Sequence, residues 1–317
     1  MSYAYLGPAG TFTQAALRTL SPPSAAVPSR PFPTVPQTLD AVRSGACQAA
    51  VVPVENSVKG VVPATLDQLV STGLHITAEA EVPVTFALMA PEGVELDDVE
   101  RVLSHPHALA QCAPWLAERL PGAVTAATGS TAGAALEVAG LSGNRGAGGS
   151  GGVAGRTAAI AAPLAAELYG LRILASGIGQ RAEAVTRFVS VRPAWLPPER
   201  TGHDRTSLVL TPGADGPGAL VGVLSVFSAH GVSLTWIQSW PTGDRLGSYR
   251  FFIDVAGHIE DPHVWAAMSE LSGTGASVRF LGSYPRVGPR GGPVGPDAGL
   301  AGAGAEAGRV LVGAGMR

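Results

Sequence analysis

Hydrophobic and polar positions alternate along this chain with two periods, and the order in which the periods change predicts its architecture. Up to about residue 193, short apolar runs alternate with amphipathic ones. YAYLG, AAVVPV, VPVTFALMA, VERVLS, AAIAA and AVTRFVSV read as strands. TFTQAALRTL, QTLDAVRSG, PATLDQLVSTG, PHALAQCAPWLAERLPG, TAGAALEVAG and PLAAELYG read as helices. Such alternation predicts an α/β fold with mostly parallel sheets. After residue 204 the order changes to TSLVLTP (strand), GALVGVLSVFSAHG (helix), VSLTWIQSW and GSYRFFIDVAGH (strands), DPHVWAAMSELSG (helix) and SVRFLGSYP (strand). That βαββαβ order is the ferredoxin-like arrangement.

Shifts in composition mark the boundaries. The Gly-rich SGNRGAGGSGGVAG, Ser142 to Gly155, reads as a functionally silent surface-loop insertion. The Pro-rich stretch Arg192 to Thr206 holds a linker, placed at 194–204. From Val287 a Gly/Ala/Pro-rich tail lacks a usable hydrophobic period, so 287–317 is expected to be disordered. This leaves one domain over 1–193 and a second over 205–286.

Composition narrows the function classes. A chain of 317 residues with 46% hydrophobic content has material for two ordinary domains with real cores. A net charge of −3, with 14% charged residues and no Lys/Arg-rich run, offers no field for tracking a phosphate backbone, so nucleic acid is not expected. The N-terminal MSYAYLGPAGTF has neither a basic leader nor a long apolar stretch, and no later segment reaches the roughly 18 apolar residues of a span. The cytoplasm is the expected location, with no membrane partner. Cys47 and Cys112 are too few for a disulfide framework and read as small buried hydrophobes. His105, His107 and Cys112 lie close together, but the two histidines diverge on a helix and no second ligand cluster exists, so no metal is expected.

Several polar residues stand where burial makes them costly. In EAVTRFVSV, Val185, Val189 and Val191 point one way with Arg187 between them, while Thr186, Phe188 and Ser190 point the other. An arginine inside such a strand needs an anion. GPAGTFTQAAL makes Thr11 a helix cap with Gln14 at the capping-box spacing, and Ser104, Ser130 and Thr131 are further hydroxyls at predicted helix starts. Helix N-termini with small residues suit a carboxylate or phosphate. Glu55, Asn56 and Ser57 follow an apolar strand and precede a helix, at the strand end where α/β proteins place ligands. No phosphate loop, dinucleotide fingerprint or nucleophile elbow is present.

YLGPAGTFTQAAL, VPVENSVKGVVPATLDQL, SHPHALAQC, GSTAGAALEVA, AAIAAPLAAELYGLRIL and AVTRFVSV, in that order before a βαββαβ unit, resemble the monofunctional prephenate dehydratases of phenylalanine biosynthesis. The resemblance covers about residues 3 to 286. It implies a two-lobed α/β catalytic domain, periplasmic-binding-protein-like (type II), followed by an ACT regulatory domain. The implied lobes are 1–78 with 176–193, and 79–175. The implied reaction removes water and carbon dioxide from prephenate to give phenylpyruvate, with no cofactor. The family's threonine acting on the leaving hydroxyl falls on Thr186. Substrate binding and cleft shape fall to Arg187, Phe188, Glu55, Asn56, Ser57, Thr11, Ser130 and Thr131. Phe188 reads equally well as a core aromatic, and Glu55 as a structural carboxylate. L-phenylalanine is the implied effector, at an ACT dimer interface using Gly218, Ala219, Leu220, Gln238 and Ser239, in a homodimer or homotetramer.

Some positions depart from the family pattern. QSWP stands for the usual Glu-Ser-Arg-Pro, and Trp236 stands where Lys is common, so feedback rests on fewer matching residues than catalysis. His107 stands where Gln is common and Ala184 where Asn is often found. Two other readings stay open. Arogenate would change only the pyruvyl end of the pocket, and a non-catalytic amino-acid sensor is opposed by the intact Thr186, Arg187 and Glu55 to Ser57.

Overall fold

The structure, a computed structural model, describes residues 1–20, 27–143, 156–181, 183–193, 196–213, 216–244 and 247–288. Most of the expected insertion (144–155), part of the linker (194–195) and the tail from 289 onward lie outside the described residues. The chain forms two compact units, Met1–Leu66 with Ala80–Phe188, and Asp67–Glu79 with the chain from Val189 onward.

The elements begin β1 (Tyr3–Leu6), α1 (Phe12–Leu20), β2 (Ser29–Phe32), α2 (Val35–Arg43), β3 (Ala49–Asn56), β4 (Gly60–Val61), α3 (Pro63–Ser71) and β5 (Leu74–Pro83). They continue β6 (Ala87–Ala90), β7 (Arg101–Ser104), α4 (Pro106–Arg119), β8 (Val124–Ala127), α5 (Thr131–Gly143), β9 (Thr157–Ala161), α6 (Pro163–Tyr169), β10 (Arg172–Ser176) and β11 (Val185–Pro193). The first sheet has the order β2-β1-β3-β11-β5, with β4 hung on β3. Between β3 and β5, β11 has neighbours on both edges, and Thr186 to Val191 are all buried. The second sheet has the order β10-β6-β9-β7-β8. One of its cores gathers Phe86, Leu88, Val102, Cys112, Leu116 and Ile160; the other gathers Met89, Leu103, Ala135, Val138 and Ala161. Each sheet thus carries its own apolar packing, which is the two-lobed α/β arrangement the resemblance implies. Cys47 and Cys112 are buried and unpaired, and burial pushes the Cys112 thiol up to about 12.

One predicted strand is two. The run VPVTFALMA breaks after Pro83, and β6 starts at Ala87. Residues 84–86 cross between the lobes beside the returning chain, where Val84 N donates to Ala184 O (2.7 Å) and Ile178 N to Phe86 O (3.2 Å).

The second unit adds β12 (Asp204–Thr211), α7 (Ala219–Ala229), β13 (Leu234–Pro241), β14 (Tyr249–Ala256), α8 (Pro262–Gly273) and β15 (Ser277–Pro285). Its antiparallel sheet, β13-β14-β12-β15, gives the expected ferredoxin-like unit. Leu208, Leu210, Phe227, Ile253, Val264 and Met268 form its core. Segment 67–79 belongs to this unit and touches β15 backbone to backbone. Gly282, at φ +147°, sits so close that a Cβ would lie 2.1 Å from Ile76 O, so only glycine fits. Buried Arg205 has Nη1 3.1 Å from Asp254 Oδ2 and 3.5 Å from Glu79 Oε2. Ser207 Oγ donates to Asp254 Oδ1 and bonds Tyr284 Oη (2.6 Å). Among the described residues, no helix is long and apolar enough to cross a membrane.

Candidate active site

The start of β11 is joined by the end of β3 and by the crossing at Val84. The loop after β1 is pressed onto the second lobe: Gly10, at φ +82°, would set a Cβ 3.1 Å from Ala165 Cα, and Tyr169 Oη donates to Ala9 O (2.8 Å). Burial raises the Tyr169 phenol above its ordinary pKa, and burial then Tyr169 raise that of Tyr5. Thr11 Oγ1 donates to Leu6 O (3.2 Å) and accepts from Gln14 N (3.4 Å). Gln14 Oε1 reaches back to Gly10 N (2.7 Å), so the capping box closes one residue before its expected partner. Phe12 meets Phe86 edge-on across the lobes, with ring centroids 5.9 Å apart.

The end of β3 supplies the second loop. Ser57 N donates to Val185 O (2.9 Å) while Ser57 Oγ accepts from Val185 N (3.0 Å), pinning the start of β11 beside the end of β3. Asn56 Oδ1 accepts from the backbone N–H of Val58 (3.0 Å) and Lys59 (2.9 Å). Its Nδ2 donates to Thr186 Oγ1 (2.8 Å), so Asn56 and Thr186, 130 positions apart, touch directly. Glu55 is half-buried opposite Val61 of β4. Arg187 is buried in β11 beside Thr186.

Phe188 lies elsewhere. It is 2% exposed and packs with Tyr3, Tyr5, Leu17 and Val51 in the core of the first lobe. The substrate-contact reading of Phe188 is corrected accordingly: its ring supports β11 from within the core.

In the second lobe, Ser130 Oγ accepts from Gly133 N (2.9 Å) and caps α5, which opens on Thr131. The expected cap at Ser104 is displaced by one residue. His105 caps α4 through Nδ1, which accepts from His107 N (3.2 Å), while Ser104 Oγ is drawn inward to Ile160 O (2.6 Å). His107 has a pKa below its ordinary value, through burial first and then the positive charges of Lys59 and His105. Lys59 and His107 were not singled out together from the sequence, because nothing local relates a turn in one lobe to a helix start in the other.

In the second unit, Gly218 takes φ +87° at the cap of α7, and Ala219 and Leu220 open that helix. A hollow of about 280 Å³ there is lined by residues including Pro212, Gly213, Pro217, Ala219, Val223 and Leu271. Gln238 and Ser239 lie on β13 and do not line it; Gln238 Nε2 donates to Ser239 O (2.9 Å). Trp240, next along, donates from Nε1 to Asp67 Oδ1 (2.8 Å).

The prephenate dehydratase family model matches residues 3–194, and the ACT domain model matches 213–273. The chain belongs to the prephenate dehydratase family. The prephenate dehydratase of Amycolatopsis methanolica is 42% identical over 286 residues, 90% of this chain and 88% of that protein. The crystal structure of prephenate dehydratase from Arthrobacter aurescens in complex with L-Phe is 45% identical, covers 90% of both chains and superposes with a TM-score of 0.78. GqqA, described as a novel type of quorum quenching acylase, is 31% identical, with 90% of this chain and 98% of that chain covered and a TM-score of 0.77. A shared fold therefore hosts more than one named activity. The family match and the 42% and 45% identity to the prephenate dehydratases of Amycolatopsis methanolica and Arthrobacter aurescens decide the reaction: a lyase that converts prephenate to phenylpyruvate in phenylalanine biosynthesis.

Proposed function

We propose that the two lobes hold prephenate as a dianion and that Thr186 donates the hydrogen bond with which the ring hydroxyl leaves. The observation that carries this is the orientation of Asn56. Two backbone N–H groups bind Asn56 Oδ1, so its amide nitrogen faces Thr186 and the threonine oxygen is the acceptor. The threonine O–H is then directed elsewhere, toward the substrate. A threonine hydroxyl is a poor acid in water, so it works as a positioned donor and not through a shifted pKa. The electron pair of the breaking carbon–carboxylate bond enters the ring and expels the hydroxyl, which takes up one proton and departs as water with carbon dioxide. Aromatisation drives the step, so the protein need only position and polarise.

The start of α1 at Thr11 and of α5 at Ser130 and Thr131 present N–H groups to the carboxylates. Glu55 and Ser57 shape the floor, and Arg187 is assigned to a carboxylate, that of the substrate or of Glu55. The division into a catalytic domain over 1–193, a linker over 194–204 and a regulatory domain over 205–286 fits this reading. L-phenylalanine is the effector, supported by the L-Phe complex of the Arthrobacter aurescens structure and by the hollow beside Gly218 to Leu220. Because Gln238 and Ser239 stand apart from that hollow, the effector site is completed by a second copy, in a homodimer or homotetramer. The enzyme works in the cytoplasm, where its biosynthetic substrate is made.

The test is to incubate the purified chain with prephenate and, separately, with arogenate, following phenylpyruvate and phenylalanine. Prephenate is expected to turn over. Turnover of arogenate alone would reassign the substrate, and turnover of neither would remove the reading. Phenylalanine titration is expected to change the rate or oligomer size; no change in either would exclude it as effector.

A further inference from the structure

We infer that Tyr169, on the second lobe, is a positioning residue for substrate binding: it holds residues 9–12 of the first lobe where they meet a substrate carboxylate. This rests on the prephenate reading above and adds a residue to it. Tyr169 is the half-buried last residue of α6, in the stretch AAELYGL, to which the proposed chemistry gives no task. A carbonyl only accepts, so the Tyr169 hydroxyl donates to Ala9 O (2.8 Å) across the lobes. Close packing accompanies that bond. A Cβ on Gly10, which has φ +82°, would lie 3.0 Å from Ala165 Cβ and 3.2 Å from Tyr169 Cε2, so the backbone of the first lobe rests directly on α6. The segment is also fastened to its own lobe, through Gln14 Oε1 to Gly10 N (2.7 Å) and Thr11 Oγ1 to Leu6 O (3.2 Å). Phe12, next along, packs against the cores of both lobes. With the Thr11 hydroxyl directed to Leu6 O, what the segment offers an anion is the backbone N–H groups at the start of α1.

The topology brings this segment to the Thr186 end of the first sheet. β1 and β3 run parallel, so the residues after both leave the same edge, and the Ser57–Val185 pair puts the start of β11 there as well. In the order β1-β3-β11, two strand spacings, about 10 Å, separate β1 from β11. In prephenate the hydroxyl and the carbon that carries the carboxylate and the pyruvyl chain stand at opposite ends of the ring. A substrate with its hydroxyl on Thr186 therefore directs its carboxylates away from that residue, and residues 9–12 stand at the same sheet edge to receive one. Tyr169 fixes them from the far lobe. Releasing the segment weakens the hold on a carboxylate and leaves Thr186 in place, so the effect falls on KM and not on kcat.

The experiment measures KM, kcat and the urea midpoint with prephenate as substrate in the full chain, Tyr169→Phe, Gly10→Ala, the double variant and Arg18→Gln. Tyr169→Phe is expected to raise KM about fivefold, the size of one hydrogen bond, with kcat moving less than about twofold. Gly10→Ala crowds the segment off α6 and is expected to raise KM at least as far. The double variant is expected to go no further than Gly10→Ala, because both changes release the same segment. Arg18→Gln removes the two hydrogen bonds to Glu167 that also join the lobes (3.0 Å each) but leaves residues 9–12 held, so its KM is expected to stay within about twofold. An unchanged KM in Tyr169→Phe, with prephenate still turned over, overturns the positioning role. An equal KM rise in Arg18→Gln overturns it too, by assigning the effect to lobe closure at large, and so does a fall in kcat with KM unmoved. Should Gly10→Ala fail to fold, Tyr169→Phe against Arg18→Gln decides. Failure of the unsubstituted chain to turn over prephenate overturns the reading beneath it and the role of Tyr169 with it.

Discussion

Each unit buries polar side chains on central strands, and the two clusters are built in opposite ways. In the second unit Arg205, Asp254, Glu79, Ser207 and Tyr284 join one another, with Asp254 accepting from both Arg205 and Ser207, and Glu79 forming an ion pair with Arg205 (3.5 Å) and accepting from Val287 N (2.9 Å). In the first unit Thr186 accepts a hydrogen bond from Asn56 Nδ2, so its own hydrogen does not go to Asn56. A cluster whose acceptors are met internally holds a fold in one arrangement. A cluster that orients a donor outward has chemistry to perform.

Substitutions should separate the two kinds of cluster. The largest effect is expected from Arg205→Met, which leaves the Glu79 and Asp254 carboxylates buried without their shared cation. Breaking such a pair costs about 3–5 kcal/mol, read as a lower urea midpoint for the full chain. Thr186→Val should do the reverse, lowering kcat at least about tenfold, or ~1.4 kcal/mol, with the urea midpoint unmoved. A comparable loss of stability in that variant would make Thr186 a structural residue and dissolve the contrast. Asn56→Asp sharpens it further, since a carboxylate only accepts and would draw the Thr186 hydrogen back to itself. It should lower kcat almost as far as Thr186→Val despite near-identical shape; full activity would show that the threonine's orientation is immaterial. The smallest effect is expected at Trp240→Phe, which removes the hydrogen bond to Asp67. Half-response to phenylalanine should shift about threefold, a fraction of one hydrogen bond, while the rate without phenylalanine stays unchanged.

Much of the fold could be read from the chain because the elements that carry it bury a periodic face. The helices and β11 are of this kind. The strands that escaped notice are β2, the two-residue β4, β8, β10 and most of β5. β2, β8 and β10 form sheet edges, and β8 exposes three of its four residues, so no alternation marks it. In β5, Glu79 is 3% exposed and reads as a surface residue until Arg205, far along the chain, is placed beside it. The break in VPVTFALMA escaped for a related reason: Val84 and Phe86 are as apolar as the strands they separate.

The candidate site divides in the same way. Thr186, Asn56, Ser57, Thr11 and Ser130 stand out by residue type and position: Thr11 and Ser130 stand at helix starts, Asn56 and Ser57 at the end of β3, and Thr186 near the start of β11. Their individual tasks do not follow from type. Ser57 and Ser130 spend their hydroxyls on backbone N–H groups, Phe188 turns into the core, and His105 takes the cap that Ser104 was expected to provide. By itself the sequence determined the periods of the elements, the order of the two domains and which strand carries a polar pair that burial would penalise. Those are local or composition-level properties. Tertiary structure decided which donor faces which acceptor. Asn56 meets Thr186 only because β3 and β11, far apart in the chain, lie side by side in the first sheet. A hydrogen bond depends on a few tenths of an ångström between residues over a hundred positions apart, and no one-dimensional pattern encodes that distance.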